Sequence, residues 1–210
     1  MRGMELRDPT HVFAGEISPG AHRIAIAISL IFQPFFVPIL VFAILCLIIG
    51  DVAEYFKFLG TSLFFVVILP TVATYYFSMK LGRKDGDIPD RTLRWPPMVF
   101  GIVSYCLGTI VLYAMDAPIV ITVLMLCYAV VTEAMMLITF YWKISIHAVG
   151  VMGPTMALAY TFWPWGLLFI LVLPPIVWSR YVLKKHTPAQ LAGGIIVGVV
   201  ITSILFWLLL

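Results

Sequence analysis

The sequence predicts an all-α fold: a polytopic transmembrane bundle of six to seven helices with its active site at one membrane face. Two observations predict that class. Of the 210 residues, 62% are hydrophobic and 11% charged, whereas soluble domains are about a quarter charged. The apolar residues also fall into runs near the roughly 20 residues a helix needs to cross the hydrocarbon core. Cys46, Cys106 and Cys127 sit inside those runs without CxxC or Cys/His spacing, so neither disulfides nor zinc is expected. No charged segment with a short apolar core and cleavage site opens the chain. No removable signal peptide is therefore expected, and the first apolar run serves as its own targeting signal.

Residues 1–23 mix charges with Pro9, Pro19 and Gly20 and read as a polar or interfacial tail ahead of a single transmembrane domain over 24–210. Ile24 to Gly50 is expected as the first span, with Gln33, Pro34 and Pro38 as kink or packing positions. The second runs from about Phe58 to Met79. Residues 80–97 form the long hydrophilic segment, a loop by its Pro and Gly content. Met98–Met115 and Pro118–Tyr141 are two spans joined by a tight Asp116-Ala-Pro118 turn, hence an antiparallel hairpin. Glu133 lies inside the second of these, where a carboxylate is costly and pairing with a neighbouring helix is its commoner fate. His147 to Trp178 is too long for one span. Phe162-Trp163-Pro164-Trp165-Gly166 divides it into two short helices, with tryptophan at an interface and Pro-Gly at a turn. The last span begins near Thr187, where Thr187, Pro188 and Gln190 make a capping-box pattern. Gly194 and Gly198 give it a GxxxG packing face.

The parity of these segments puts the 80–97 loop, the Trp142–His147 junction and the 179–186 segment on one membrane side. Of the 13 Lys and Arg, all but Lys57 share that side when the N-terminal tail is counted with it. The positive-inside rule therefore places this face in the cytoplasm. Three polar segments then converge, offering Lys84, Arg91, Ser145, His147, Arg180 and His186, with Asp85, Asp87 and Asp90 nearby. Guanidinium groups grip phosphate oxygens through paired hydrogen bonds, and an ammonium adds a point charge. Ser145 opens a helix, where its hydroxyl and the free N–H groups can both face an anion. Two histidines can divide phosphoryl chemistry, one attacking phosphorus as neutral imidazole and the other protonating the leaving oxygen.

These residues resemble the PAP2 or type 2 phosphatidic acid phosphatase superfamily, whose signature is K-x6-R-P, then P-S-G-H, then S-R-x5-H-x3-D. Lys84 and Arg91 match the first part, with Thr92 in place of its proline. Ser145-Ile146-His147 matches the second, with Ile144 and Ile146 for the proline and glycine. Ser179-Arg180 and His186 match the third, and Gln190 stands at the aspartate. The resemblance implies that His186 is the nucleophile forming a phosphohistidine and His147 the general acid. It implies further that Lys84, Arg91, Ser145 and Arg180 bind the phosphoryl oxygens, with no metal or other cofactor. Gln190, four residues beyond His186, is expected either to orient that ring, the reading preferred here, or to cap the last helix. Ile146 adds a side chain where backbone approaches phosphate in the family pattern.

The function implied is hydrolysis of a lipid phosphate or polyprenyl diphosphate in a cell membrane, with no nucleic-acid partner. Two alternatives stand beside it. One is a Mg-dependent lipid or prenyl transferase using Asp85, Asp87 and Asp90 to hold the metal and a diphosphate. The other is a lipid-phosphate-binding protein that has lost turnover.

Overall fold

The structure, a computed structural model, describes residues 17–33, 35–80 and 93–210. Among these the regular elements are all helical: α1 (Pro19–Ile31), α2 (Phe36–Leu45), α3 (Val52–Leu63), α4 (Leu69–Lys80), α5 (Trp95–Ala114), α6 (Ile119–Tyr141), α7 (Ile146–Thr161), α8 (Leu173–Val182) and α9 (Pro188–Leu209). A π-helical turn at Phe64–Ile68 joins α3 to α4 in one continuous rod, and a 3-10 segment at Trp165–Val172 leads into α8. Five helical stretches are long and apolar enough to cross a membrane, and a sixth is obtained if α1 and α2 count as one bent span. The chain is a multi-pass membrane protein.

Several boundaries differ from expectation: α5 begins at Trp95 rather than Met98, with proline at its first positions, and three more differences lie earlier in the chain. The polar tail is partly helical, because Ser18 caps α1 by accepting from the Ala21 N–H and Pro19 follows at the first helical position. Such a start is favoured even among polar residues. The first span is not one helix: α1 and α2 meet at a 49° bend. Proline at position 34 has no N–H to donate and disfavours helical backbone at the residue before it. The second span begins six residues earlier than expected. Asp51 accepts from the Glu54 N–H and starts α3, and Glu54 pairs with Lys57 on the exposed surface.

Small residues set the tightest packing. Gly194 and Gly198 let α9 lie against α7, since a Cβ at Gly194 would stand 2.7 Å from the Ser145 carbonyl oxygen and one at Gly198 3.0 Å from the Gly153 nitrogen. The GxxxG expectation is therefore met, with α7 as the partner. On the other flank, the π turn displaces the Phe65 carbonyl from the regular helical ladder. Ser104 of α5 donates to it at 2.6 Å. Gly108, one turn further along, admits the Phe65 side chain, which would lie 2.7 Å from an added Cβ.

The helix ends close as the sequence predicts. The α5–α6 hairpin turns at Asp116, which has φ 55, with the Ala117 N–H reaching the Leu112 carbonyl and the Asp116 N–H the Tyr113 carbonyl. That is a Schellman closure with a non-glycine left-handed residue. The stretch from His147 to Trp178 does divide at Phe162–Gly166, and Trp163 and Trp165 are exposed there. Because successive helices alternate in direction, Arg94, Lys143–Ser145 and Arg180–Thr187 all emerge at the same end of the bundle.

Candidate functional site

His186 is fixed by the two helix ends it separates. At the end of α8, the Lys185 N–H bonds the Arg180 carbonyl and the Lys184 N–H bonds the Tyr181 carbonyl, while Lys184 adopts φ 53. This second Schellman closure reverses the chain within a few residues. Immediately beyond His186, the Thr187 hydroxyl accepts from the Gln190 N–H at 3.3 Å and the Gln190 side-chain oxygen accepts from the Thr187 N–H at 3.1 Å. His186 is thereby pinned between a C-terminal and an N-terminal cap. It is only 8% exposed.

The junction from α6 to α7 is laid over the same helix end. The Ser145 N–H donates to the Gln190 carbonyl at 3.3 Å, and the fully buried Ser145 hydroxyl caps α7 by accepting from the Ala148 N–H. His147 follows in the first turn. The Gln190 backbone thus ties the start of α9 to the start of α7, bringing the two histidines within electrostatic reach of one another.

Among the described residues the charges acting on them share one sign. Burial, followed by Arg180, Lys143, His147 and Arg94, pushes the His186 imidazole far below its ordinary range, to about 2. Arg180 and Arg94 also act on His147. Among the described residues no carboxylate acts on either ring. Both ring nitrogens of His186 and Nε2 of His147 are buried without a hydrogen-bond partner among the described residues. Buried polar atoms normally have partners. Unpaired imidazole nitrogens facing three cations have the chemistry of a site awaiting an oxyanion.

Of the residues proposed from sequence, Ser145, His147, Arg180, His186 and Gln190 are brought to one end of the bundle. Lys84, Arg91, Asp85, Asp87 and Asp90 lie outside the described residues. The role preferred for Gln190 is corrected: its side-chain oxygen is held by the Thr187 N–H and bonds neither nitrogen of His186. The cap wins because its donor lies in Gln190's own first turn, where it would otherwise lack an acceptor. Ser145 likewise spends its hydroxyl and N–H on structure, so its part in the site is to place His147. Ile146 turns its side chain into an apolar cavity inside the bundle. Glu133 is exposed on α6 and is not among the groups acting on the histidines. Among the described residues no group of three or more His, Cys, Asp or Glu is arranged to hold a metal.

Three participants escaped the sequence reading. Arg94 immediately precedes α5 without a side-chain capping bond, and Lys143 lies in the α6–α7 junction. The third is Ser29 of α1, whose hydroxyl accepts from Arg180 Nη1 at 2.7 Å and whose backbone acts on the His147 ring. A helix distant in sequence therefore joins both a cation and an imidazole of the site. No family model, curated protein or solved structure matches the chain.

Proposed function

We propose that the protein is a PAP2-type membrane phosphatase that hydrolyses the phosphate or diphosphate ester of a lipid through a phosphohistidine. One observation carries the reading: two buried imidazoles with unpaired nitrogens, both acted on by Arg180 and Arg94 and one also by Lys143, with no carboxylate among the described residues acting on them. That arrangement recognises a multiply charged oxyanion and supplies both a nucleophile and a proton carrier. The order and spacing of Ser145, His147, Ser179, Arg180 and His186 in the sequence support it.

Neutral His186 has a lone pair available for attack. Its nitrogen bonds to phosphorus as the bond to the leaving oxygen breaks, and His147 delivers a proton to that oxygen, releasing the lipid alcohol from a phosphate ester or the lipid monophosphate from a diphosphate. Water then attacks the phosphohistidine, His147 takes its proton, and phosphate leaves with His186 regenerated. Protonation of His147 is aided by the substrate itself, because an incoming dianion offsets the cations that oppose a charged imidazole. Arg180 grips the phosphoryl oxygens as charge builds on them. By the positive-inside rule the site faces the cytoplasm of a cell membrane.

A phosphate-release screen over phosphatidic acids, lysolipid phosphates and polyprenyl diphosphates tests the proposal, each run with EDTA or vanadate. Turnover that survives EDTA and is blocked by vanadate is expected. Turnover abolished by EDTA and restored by Mg would replace the phosphatase with the transferase reading.

A further inference from the structure

A cavity of about 110 Å³ lies within the bundle, walled by α2, the π turn, α5, α6, α7 and α9. Its lining on α6 runs from Leu124 to Met135 and on α7 from Ile146 to Pro154. At 1.5 Å per residue those walls are about 16 Å and 12 Å long, so the space is a slot parallel to the helices. Its end on α7 is Ile146, the residue next to His147. The slot also exists for identifiable reasons. Gly150 has no side chain to fill it, and an added Cβ there would meet nothing within 4 Å. The π turn, a feature that recurs at functional sites, contributes Val66 to its wall.

We infer that this slot takes one hydrocarbon chain of the lipid whose phosphate is held at His147 and His186. The inference rests on the proposed phosphatase reading for its head group and adds where the chain goes. Three features on the page specify the occupant. The walls are mainly apolar side chains of membrane helices, with Tyr105, Tyr128, Thr132 and Thr202 the polar-tipped exceptions, which suits a hydrocarbon chain better than a charged ligand. The long axis follows the helices, as an extended chain does. The end of the slot at Ile146 is one residue from His147, on the side where a phosphorylated lipid would change from polar to apolar. A chain moving from bilayer to slot leaves one apolar surround for another, so fit rather than hydrophobic transfer decides its affinity.

Gly150→Leu tests the fit, since its side chain grows into open space and plugs the slot. In the reconstituted full chain, kcat/KM is measured for hexadecyl phosphate and for para-nitrophenyl phosphate. The long-chain to short-ester ratio is expected to fall at least tenfold in the variant. An unchanged ratio overturns the inference while leaving the phosphatase reading intact. A second measurement does not depend on turnover or on that variant's folding: a hexadecyl phosphate carrying a mid-chain diazirine is photolysed with wild type and with His186→Ala, and adducts are mapped. Adducts on Val131, Gly150 or neighbouring slot residues are expected, and in the absence of any phosphate release they would support the chain site while sinking the phosphatase. Adducts confined to outward-facing positions such as Leu137 and Ile196 overturn the slot.

Discussion

Replacing Ser29 by alanine removes one oxygen atom, and with it the acceptor that holds Arg180 Nη1 at 2.7 Å. The Ser29 backbone that acts on His147 is unchanged by the substitution. The perturbation therefore falls on the guanidinium alone. A hydrogen bond to a charged group contributes about 1.5–3 kcal/mol, which at about 1.4 kcal/mol per factor of ten is roughly ten- to a hundredfold in rate if all of it serves the transition state. Because the contact is only partly buried, the lower end is expected. The assay is phosphate release from the preferred lipid phosphate, with kcat and KM resolved separately. A positioning role predicts a fall mainly in kcat, since an Arg180 that has lost this one contact still attracts the anion but meets the developing charge less well. Ser29→Thr, which restores a hydroxyl, should recover most of the loss. Unchanged kcat in a folded Ser29→Ala protein, or a loss that Ser29→Thr fails to relieve, would refute the clamp.

Gln190→Ala should cost about 1 kcal/mol of stability through the lost cap and leave turnover within a fewfold; a loss of turnover beyond tenfold without unfolding would restore the orienting role. Arg180→Ala should lower turnover by about 100- to 1,000-fold, with Arg180→Lys recovering part because an ammonium lacks the planar fork; full activity in Arg180→Ala removes the phosphate grip. The imidazole of His186 is held near 2 in the fold, against about 6.5 when unfolded. Between those values the unfolded chain binds the proton and the folded chain does not, so stability should fall as pH drops below about 6.5. Thermal melts of the wild type from pH 7 to 5 should show that decline, shallower in His186→Gln; equal slopes would show that His186 is not the group responsible.

The membrane bundle was legible because each span announces itself by composition, and its ends by caps. Thr187-Pro-Ala-Gln190 and Asp116-Ala-Pro118 carry their own local chemistry, and both behave as their residues dictate. Ser145, His147, Arg180 and His186 could be gathered from parity alone, since an even number of crossings returns the chain to the same face. What parity cannot supply is lateral position. Ser29 looked like one small polar residue in an apolar run, and nothing local marks it as the acceptor for an arginine 151 positions away. Arg94 and Lys143 looked like ordinary interfacial cations for the same reason. The bend after α1 was half visible: Pro34 marked a kink, but its size depends on what α1 packs against. Gln190 was misjudged because two donors competed for one amide oxygen, and the nearer donor in its own helical turn prevailed.

Covalent capture of the intermediate tests the phosphohistidine mechanism most directly. Purified protein is mixed with the lipid substrate carrying labelled phosphorus in the scissile phosphate, quenched with alkali within one turnover, and digested. The mechanism predicts an acid-labile, alkali-stable label on the peptide containing His186, formed in the presence of EDTA and absent from His186→Ala. Turnover that proceeds at the wild-type rate in His186→Ala, or label that resides on another residue, would contradict it.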